Sequence, residues 1–568
     1  MKKYFSDIEN RIVAVMFVIT MIVALSPFAS RYCINGHDLE YHLLRIEALK
    51  EQILMGKPFS KIDFLFFGGA GYASSLFYSD FLLIIPALLR VLGLSIGASY
   101  HIFASLCVIA TFASFYFCTK VLTKSKIAGL IAGMLVTLCP YHMDDVLVRA
   151  AVGEYMAFIF VPVVVLAIYN IIYENMSKPW LFVLGFAGTL LSHSATTILC
   201  VAVAVVLLLI NIKVLIKSPA IIVRMLISSL VTLALTAYYW APMLEQFADA
   251  KFYVSNNWTD MLDAALDFSL VFSEVFPCLG IFLVFFAVTR IFVSVKETPI
   301  LRFADYLIGV ALVFALGTSN IMPWEKVARF FGFLQFPWRL FIISSSLLAI
   351  ADAIVMYAVY EKITKEEGKN LKPYTARLVI VVSILMFMGT SSVYHMTQNS
   401  QGYYDYSDDY YSYKPFTAAV IAGEWLPMSV TDAESILDMS ENVVSSTGSN
   451  LPFERSKGEI VVDIPVSFDY VDVPFIYYKG YEAELETSLE DSYRIEKLRI
   501  SGEGDNGFAR VFLSENQKGK LTVRYAGTLI QKISAVVSLV ALLGIIIFVI
   551  ASSIKSHKKD TRNDEQLL

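Results

Sequence analysis

Charge is scarce in this chain. Only 17% of its 568 residues are Asp, Glu, Lys or Arg, against about 25% in an ordinary soluble domain. Such a composition cannot cover a solvent-facing globule. No long basic tract occurs and the net charge is −5, so the electrostatic footprint of a nucleic-acid partner is absent. The six cysteines, Cys33, Cys107, Cys118, Cys139, Cys200 and Cys278, form no CxxC pair and lie within or beside apolar runs. They read as small buried hydrophobes rather than metal ligands or a disulfide framework. There is no Walker A loop, no GxSxG elbow, no HExxH zinc site and no visible internal repeat.

Apolar length is what the chain has in excess. Hydrophobic residues make up 57% of it and the mean hydropathy is +0.62. A bilayer core takes roughly 20 apolar residues per helix, and about a dozen such segments are offered, at 12–29, 77–94, 98–119, 126–140, 155–173, 180–192, 195–212, 221–240, 268–290, 303–317, 336–359, 375–391 and 529–552. Backbone groups in hydrocarbon must bond internally, so these segments are expected to be helical. Phe28-Ala29-Ser30 offers a small-residue cleavage site. The run before it exceeds a signal-peptide core of roughly 7–15 residues, which favours an uncleaved first span.

Cationic short loops at Lys120–Lys126, Lys213–Arg224, Arg290–Arg302 and Glu361–Arg377, and the stretch after Lys555, alternate as cytoplasmic. Lys2, Lys3 and Arg11 place the N-terminus on the same side. The loops 30–76, 141–154, 192–195, 241–267, 318–335 and 392–528 are then outside. Two crossings at 77–94 and 98–119 would break this alternation. Either one of them does not cross, or a crossing is hidden in 30–76, or the charge rule fails at Lys120–Lys126. The segment 77–94 is short and carries Pro86 and Arg90, which points to a re-entrant or interfacial stretch.

These readings give a mostly α, polytopic membrane protein of the plasma membrane, both termini cytoplasmic. The expected organisation is a multi-span domain over 1–391, an external β-rich domain over 392–528, and a last span with a cytoplasmic tail over 529–568. Within the loop 30–76, Leu39, Leu43, Ile46, Leu49, Ile53 and Leu54 fall near helical spacing with Glu40, Arg45, Glu47, Lys50 and Glu51 among them. That pattern predicts an amphipathic helix on the membrane surface. Alternation predicts strands at Glu459–Val466, Pro474–Leu485, Tyr493–Ile500, Ala509–Leu513 and Lys520–Tyr525.

Polar groups where loops meet helix ends are the candidates for chemistry, because ionisable groups near hydrocarbon are costly. Asp38, His42 and Arg45 share one helix face, with His37 and Glu40 beside them. A carboxylate there can take a proton from an acceptor hydroxyl, and His and Arg can hold a phosphate; the plain alternative is a helix cap with a solvated face. Tyr141, His142, Asp144, Asp145, Arg149 and Glu154 form a second cluster. Its adjacent carboxylates give a weak signal for a divalent cation such as Mg or Mn, DxD spacing being absent; an ordinary polar turn reads equally well. His193 follows Ser192 at a helix end, where a structural role competes. Glu245 closes the aromatic string Tyr238-Tyr239-Trp240-Ala241-Pro242, an interfacial belt in the plainer reading. Arg329, Gln335, Trp338 and Arg339 precede a long apolar run. The arginines suit phosphate, and Trp338 with Arg339 also suits simple interfacial anchoring. Tyr478 and Lys479 lie in a YYKGY string of the β-rich part.

In order, these clusters resemble the GT-C superfamily of polytopic glycosyltransferases. Gly36-His37-Asp38, Pro140-Tyr141-His142, Arg149 with Gly153-Glu154-Tyr155, Ser192-His193, Pro242-Met243-Leu244-Glu245, Gln335-Phe336-Pro337-Trp338-Arg339 and Tyr477-Tyr478-Lys479-Gly480-Tyr481 are similar to strings of the YfhO-like bacterial membrane proteins. The resemblance covers nearly the whole chain. It implies transfer of a sugar from a polyprenyl-phosphate-linked donor to a cell-envelope acceptor, such as teichoic acid or another glycan, at the outer face. It places the catalytic base at Asp38, second-loop carboxylates at Asp144 and Asp145, and donor-phosphate contacts at Arg339 and Arg329. A lipid or polysaccharide transporter (a flippase), and a non-catalytic assembly scaffold, are the competing classes.

Overall fold

The computed structural model describes residues 8–565 except 59, 256–260, 262, 274–276, 293–294, 296, 368–370, 407–422, 457, 490–491 and 516. Lys2, Lys3 and residues 407–422 therefore lie outside the described residues. In chain order the helices are α1 (Ile8–Leu25), α2 (Leu39–Leu54), α3 (Ser74–Phe77), α4 (Ile84–Val91), α5 (Ile96–Thr123), α6 (Lys126–Thr137) and α7 (Pro140–Met143). After a π-helical turn at Asp144–Val148 come α8 (Val152–Phe158), α9 (Val161–Tyr173), α10 (Trp180–Leu190), α11 (Ser194–Ile210), α12 (Ile212–Lys217), α13 (Pro219–Leu235) and α14 (Ala237–Asp249). Then follow α15 (Ile281–Phe292), α16 (Pro299–Gly317), α17 (Trp324–Val327), α18 (Phe341–Glu367) and α19 (Leu371–Asn399), and a long C-terminal helix, Leu529–Glu565.

Six of the described helical stretches are long and apolar enough to cross a bilayer, or up to eight when two bent pairs count as single spans. Three shorter apolar helices, Trp180–Leu190, Ser194–Ile210 and Ile281–Phe292, accompany them. The chain is a multi-pass membrane protein. Of the segments expected from hydropathy, six coincide with these long helices, two with the bent pairs and three with the shorter helices. Lys126–Thr137 with Pro140–Val148 bends by 53°, and Pro219–Leu235 with Ala237–Asp249 by 76°. The segment 77–94 does not form a span: α4 has eight residues, a rise of about 12 Å against a hydrocarbon core of about 30 Å. Its buried Arg90 pairs with Glu47 of α2.

Two expectations are corrected here. The loop 141–154 is not a water-exposed turn but a helical, kinked stretch in which every residue from Pro140 to Phe158 is buried. The helix at 39–54 forms, but not as a surface-lying amphipath. Leu39, His42, Leu43, Leu44, Arg45, Ile46, Glu47, Ala48, Leu49 and Gln52 are all buried, so the protein encloses its polar face as well as its apolar one. Ion pairs make that tolerable: Glu47 with Arg90, and Arg45 with Asp80 at 2.7 Å. Without partners, charges so placed would cost several kcal/mol each.

The break between α13 and α14 is filled from far along the chain. The backbone N–H of Tyr238 donates to Ser538 Oγ at 2.9 Å, and that hydroxyl donates to Ala234 O at 3.0 Å. The C-terminal helix thus supplies the hydrogen bonds that the bend disrupts. All six cysteines are buried and free.

The β-rich part is a sandwich of two five-stranded antiparallel sheets, ordered β10-β11-β7-β3-β4 and β5-β6-β12-β8-β9. Short strands β1 (Cys33–Ile34) and β2 (Tyr403–Tyr404) pair separately, joining the first loop to the end of α19. The sandwich strands are β3 (Val443–Ser445), β4 (Asn450–Leu451), β5 (Phe453–Ser456), β6 (Glu459–Ile464), β7 (Tyr470–Ile476), β8 (Tyr481–Leu489), β9 (Ser492–Leu498), β10 (Ile500–Ser501), β11 (Phe508–Phe512) and β12 (Gly519–Tyr525). Alternate residues such as Ile460, Val462, Ile464 and Leu521, Val523 fill its core. The single strand expected at Pro474–Leu485 is two, because Tyr477–Gly480 turns, with Gly480 at φ +125°. The sandwich docks on the loop before α3: Ile476 N–H donates to Ala70 O at 2.9 Å and Lys57 Nζ lies 3.6 Å from Glu459.

Candidate functional site

The first loop and the kink after α7 are laced together by backbone. His37 N–H donates to Val148 O at 3.0 Å and Asp38 N–H to Arg149 O at 2.8 Å. Gly36 permits this approach. A Cβ there would fall 2.7 Å from Ala150 Cβ and 2.9 Å from Ala150 N, and Ala150 itself is held at φ +52°. Gly36→Ala is therefore expected to push Asp38 away from Arg149. The overpacking costs about 1–3 kcal/mol, read as a lower unfolding midpoint in detergent.

From that seam a chain of opposite charges runs inward. Arg149 Nη1 lies 2.6 Å from Asp145 Oδ1 and 2.6 Å from Glu154 Oε2. Tyr141 donates to Glu154 Oε1 at 3.0 Å and accepts from Arg149 at 3.3 Å. Arg339 Nε stands 3.4 Å from the same Glu154 Oε2. Its Nη1 donates to Leu334 O at 3.0 Å and to Gln335 Oε1, and Gln335 Nε2 donates to Glu424 Oε1 at 2.9 Å. Arg149 is buried and Arg339 nearly so, with side-chain exposures of 5% and 13%.

Asp38 begins α2 without using its carboxylate as a cap, so the carboxylate remains available. Burial pushes its carboxyl above the ordinary aspartate range, while Arg149, then Arg339 and His37, pull the other way. Glu424 is likewise pushed up by burial and eased by Arg339, and Asp38 adds repulsion. The loop carboxylate, both arginines and Glu424 thus share one electrostatic neighbourhood. His193 hydrogen-bonds Thr196 Oγ1 through Nδ1 at 2.8 Å, and its ring lies 6.4 Å from that of Tyr78. Asp144 is fully buried, and neither carboxylate oxygen has a hydrogen-bond partner among the described residues.

Other residues singled out in the sequence lie apart from this chain. Arg45 is not free for phosphate: it pairs with Asp80 and donates to Tyr78 O at 3.0 Å and Ser79 O at 3.2 Å. His42 is buried between the Tyr41 and Tyr78 rings, 3.4 Å from Arg45, and burial drives its imidazole well below the usual range. Glu40 is half-buried in the first turn of α2. His142 packs on Phe158 and bonds Thr137 O at 3.1 Å. Arg329 is exposed over the Phe330 ring rather than inside the cluster. Trp338 stacks on Phe336 at 4.4 Å. Glu245, Tyr478 and Lys479 form a joint instead. Lys479 Nζ lies 3.1 Å from Asp249 and 3.8 Å from Glu245, Thr528 donates to Glu245, and Tyr478 donates to Trp425 O at 3.1 Å.

The expected cation at Asp144 and Asp145 finds no fitting donor set. Asp145 is engaged by Arg149, and among the described residues no group of three or more His, Cys, Asp or Glu is arranged to hold an ion.

Two participants carried no signal in the sequence. Tyr78 reaches Gly153 so closely that a Cβ there would lie 1.9 Å from its hydroxyl, and its ring lies 4.5 Å from the Arg45 guanidinium. Glu424 comes from the segment before the sandwich, across 89 residues from Gln335.

No protein-family profile matches the chain. An uncharacterised protein of Lactococcus lactis subsp. cremoris (strain MG1363) is 22% identical over 605 residues, covering 96% of each chain. Among solved structures, mycobacterial arabinofuranosyltransferase AftD is 14% identical with a TM-score of 0.42, covering 71% of this chain and 28% of its own. Archaeal oligosaccharyltransferase AglB from Archaeoglobus fulgidus, in complex with an inhibitory peptide and a dolichol-phosphate, is 12% identical with a TM-score of 0.43, over 71% and 57%. ArnT from Cupriavidus metallidurans is 13% identical with a TM-score of 0.38, over 76% and 81%. The chain thus spans little more than a quarter of AftD's length and just over half of AglB's.

Proposed function

We propose that this protein is a membrane glycosyltransferase of GT-C type that moves a sugar from a polyprenyl-phosphate-linked donor to a cell-envelope acceptor, such as teichoic acid or another glycan, on the outer face. The observation that carries the reading is the backbone seam of Asp38 with Arg149 where the first loop meets the broken helix, with Arg339 joined to Arg149 through Glu154. A lipid donor keeps its tail in the bilayer and its phosphate at the interface. Arg339, held loosely by Glu154, is placed to stabilise charge on the departing phosphate. Asp38 takes the proton of the acceptor hydroxyl as that oxygen bonds the anomeric carbon and the sugar–phosphate bond breaks. The order of the polar clusters along the sequence, which resembles that of GT-C enzymes, supports the same assignment.

A transport reading has one observation of its own. Asp352, midway along α18, is fully buried with both carboxylate oxygens unpartnered among the described residues, and intramembrane carboxylates mark ion or lipid pathways. The cluster around Asp38 is larger and mixes a base with phosphate-suited cations, which favours transfer.

The test is incubation of the purified protein with polyprenyl-phosphate sugars, following release of polyprenyl phosphate. The pH profile adds a check. Only the Asp38 carboxylate accepts a proton, and its pKa is raised. The acid-side loss of kcat/KM should therefore set in above the ordinary aspartate value of about 4. Arg339→Gln removes a charge that favours the carboxylate and should move that limb to still higher pH.

A further inference from the structure

The chain from Glu154 through Arg339 and Gln335 does not end in the membrane-embedded helices; it ends on Glu424. That residue sits on a firmly held strip. Val254 N–H donates to Glu424 O at 2.9 Å, Tyr253 N–H to Leu426 O at 3.2 Å and Met428 N–H to Lys251 O at 2.9 Å. Phe252 pairs with Pro427. Trp425 stacks on Phe77 at 5.0 Å with an interplanar angle of 4°, and its backbone N–H donates to the Tyr72 hydroxyl oxygen at 2.9 Å. Gln335 meets Glu424 from a backbone at φ +59°, a region a non-glycine residue adopts only when its surroundings hold it there. Its amide is used on both sides: Oε1 accepts from Arg339 and Nε2 donates to Glu424.

We infer that Glu424 is a positioning residue for Arg339, acting through Gln335, so that the strip 423–428 sets the aim of the guanidinium at the lipid-phosphate group. The inference rests on the transferase reading and deepens it: the strip leading into the β-sandwich takes part in donor recognition. The Glu424 carboxylate fixes the amide's orientation. With that partner gone, the amide can turn over and present its NH2 to Arg339, which repels the cation from its present position.

The geometry provides a test by exchange. Gln335→Glu alone sets two carboxylates against each other where one hydrogen bond stood. Adding Glu424→Gln restores a donor and an acceptor with their roles reversed, and the carboxylate at position 335 still accepts from Arg339. The measurement is titration of the full-length protein in nanodiscs with a polyprenyl monophosphate, followed by tryptophan fluorescence, together with kcat and KM for the sugar-charged lipid. Glu424→Ala and Gln335→Glu should each weaken lipid-phosphate binding about tenfold, the size of one charged hydrogen bond. The double exchange should return binding to within about threefold of the unmodified protein. A double variant no better than Gln335→Glu, or a Glu424→Ala variant that binds normally, overturns the inference and leaves the transferase reading standing. Failure of the unmodified protein to bind polyprenyl monophosphate overturns both. Because the exchange conserves every group and charge, misfolding of a single variant cannot imitate rescue.

Discussion

Asp38→Asn should leave the protein inserted and folded while sugar transfer falls by about 10²–10⁴-fold, the usual contribution of a positioned general base. Asn matches Asp in shape, and the backbone bond from residue 38 to Arg149 O does not involve the side chain. The carboxylate does not cap α2, so no helix-capping energy is lost. Burial of the carboxyl opposes its charged form, which means the neutral amide is no burden to folding. The measurement is turnover of polyprenyl-phosphate sugar by purified variant and unmodified protein, with thermal unfolding as the control. A flippase would still move lipid after this change, and a scaffold would be indifferent to it. Retained transfer would remove Asp38 from the chemistry.

Arg149 predicts the opposite balance. It holds Asp145 and Glu154 together, each at 2.6 Å, with Tyr141 alongside. Replacing it with Met keeps the volume and removes the cation. Two buried carboxylates then face each other with only Arg339, at 3.4 Å from Glu154, as compensation. Breaking a buried pair by removing one partner costs about 3–5 kcal/mol, so Arg149→Met should fail to accumulate or unfold at a much lower temperature. The triple change Arg149→Met, Asp145→Asn, Glu154→Gln should recover much of that stability, though not activity. If Arg149→Met alone is as stable as the unmodified protein, the ion-pair chain is not what holds the kink.

Much of this architecture was legible in the hydropathy and alternation of the sequence, because the demands behind them are local. Apolar runs must become helices in lipid, and the pattern at Leu521 and Val523 must face a sheet interior. The kinks were not legible. Pro140 and the π turn at Asp144–Val148 bury a polar stretch, and hydropathy reads such a stretch as a loop. The same blindness applied to α2: Arg45 and Glu47 look like a wet face until Asp80 and Arg90, from elsewhere in the chain, neutralise them. Asp38, Arg149 and Arg339 were recognisable as charged residues at helix ends, whereas Glu424 was not. Its role depends on a partner 89 positions away, and no periodicity marks a single carboxylate in an irregular strip. Arg339, at the start of a long apolar run, and Arg329 are both phosphate candidates in the sequence, and packing separates the paired one from the exposed one.

The bend between α13 and α14 has a bearing on biogenesis. Its open N–H at Tyr238 is met by Ser538, 300 residues later, and Tyr239 in turn fixes Phe77 O at 3.0 Å and Ser194 at 2.8 Å. During synthesis that bend enters the bilayer as a polar flaw with no remedy, and it stays so until the final helix inserts. The junction of α13, α14, α3 and α11 is thus completed last, from pieces made first. A chain that ends before residue 538 lacks the hydroxyl that satisfies this amide.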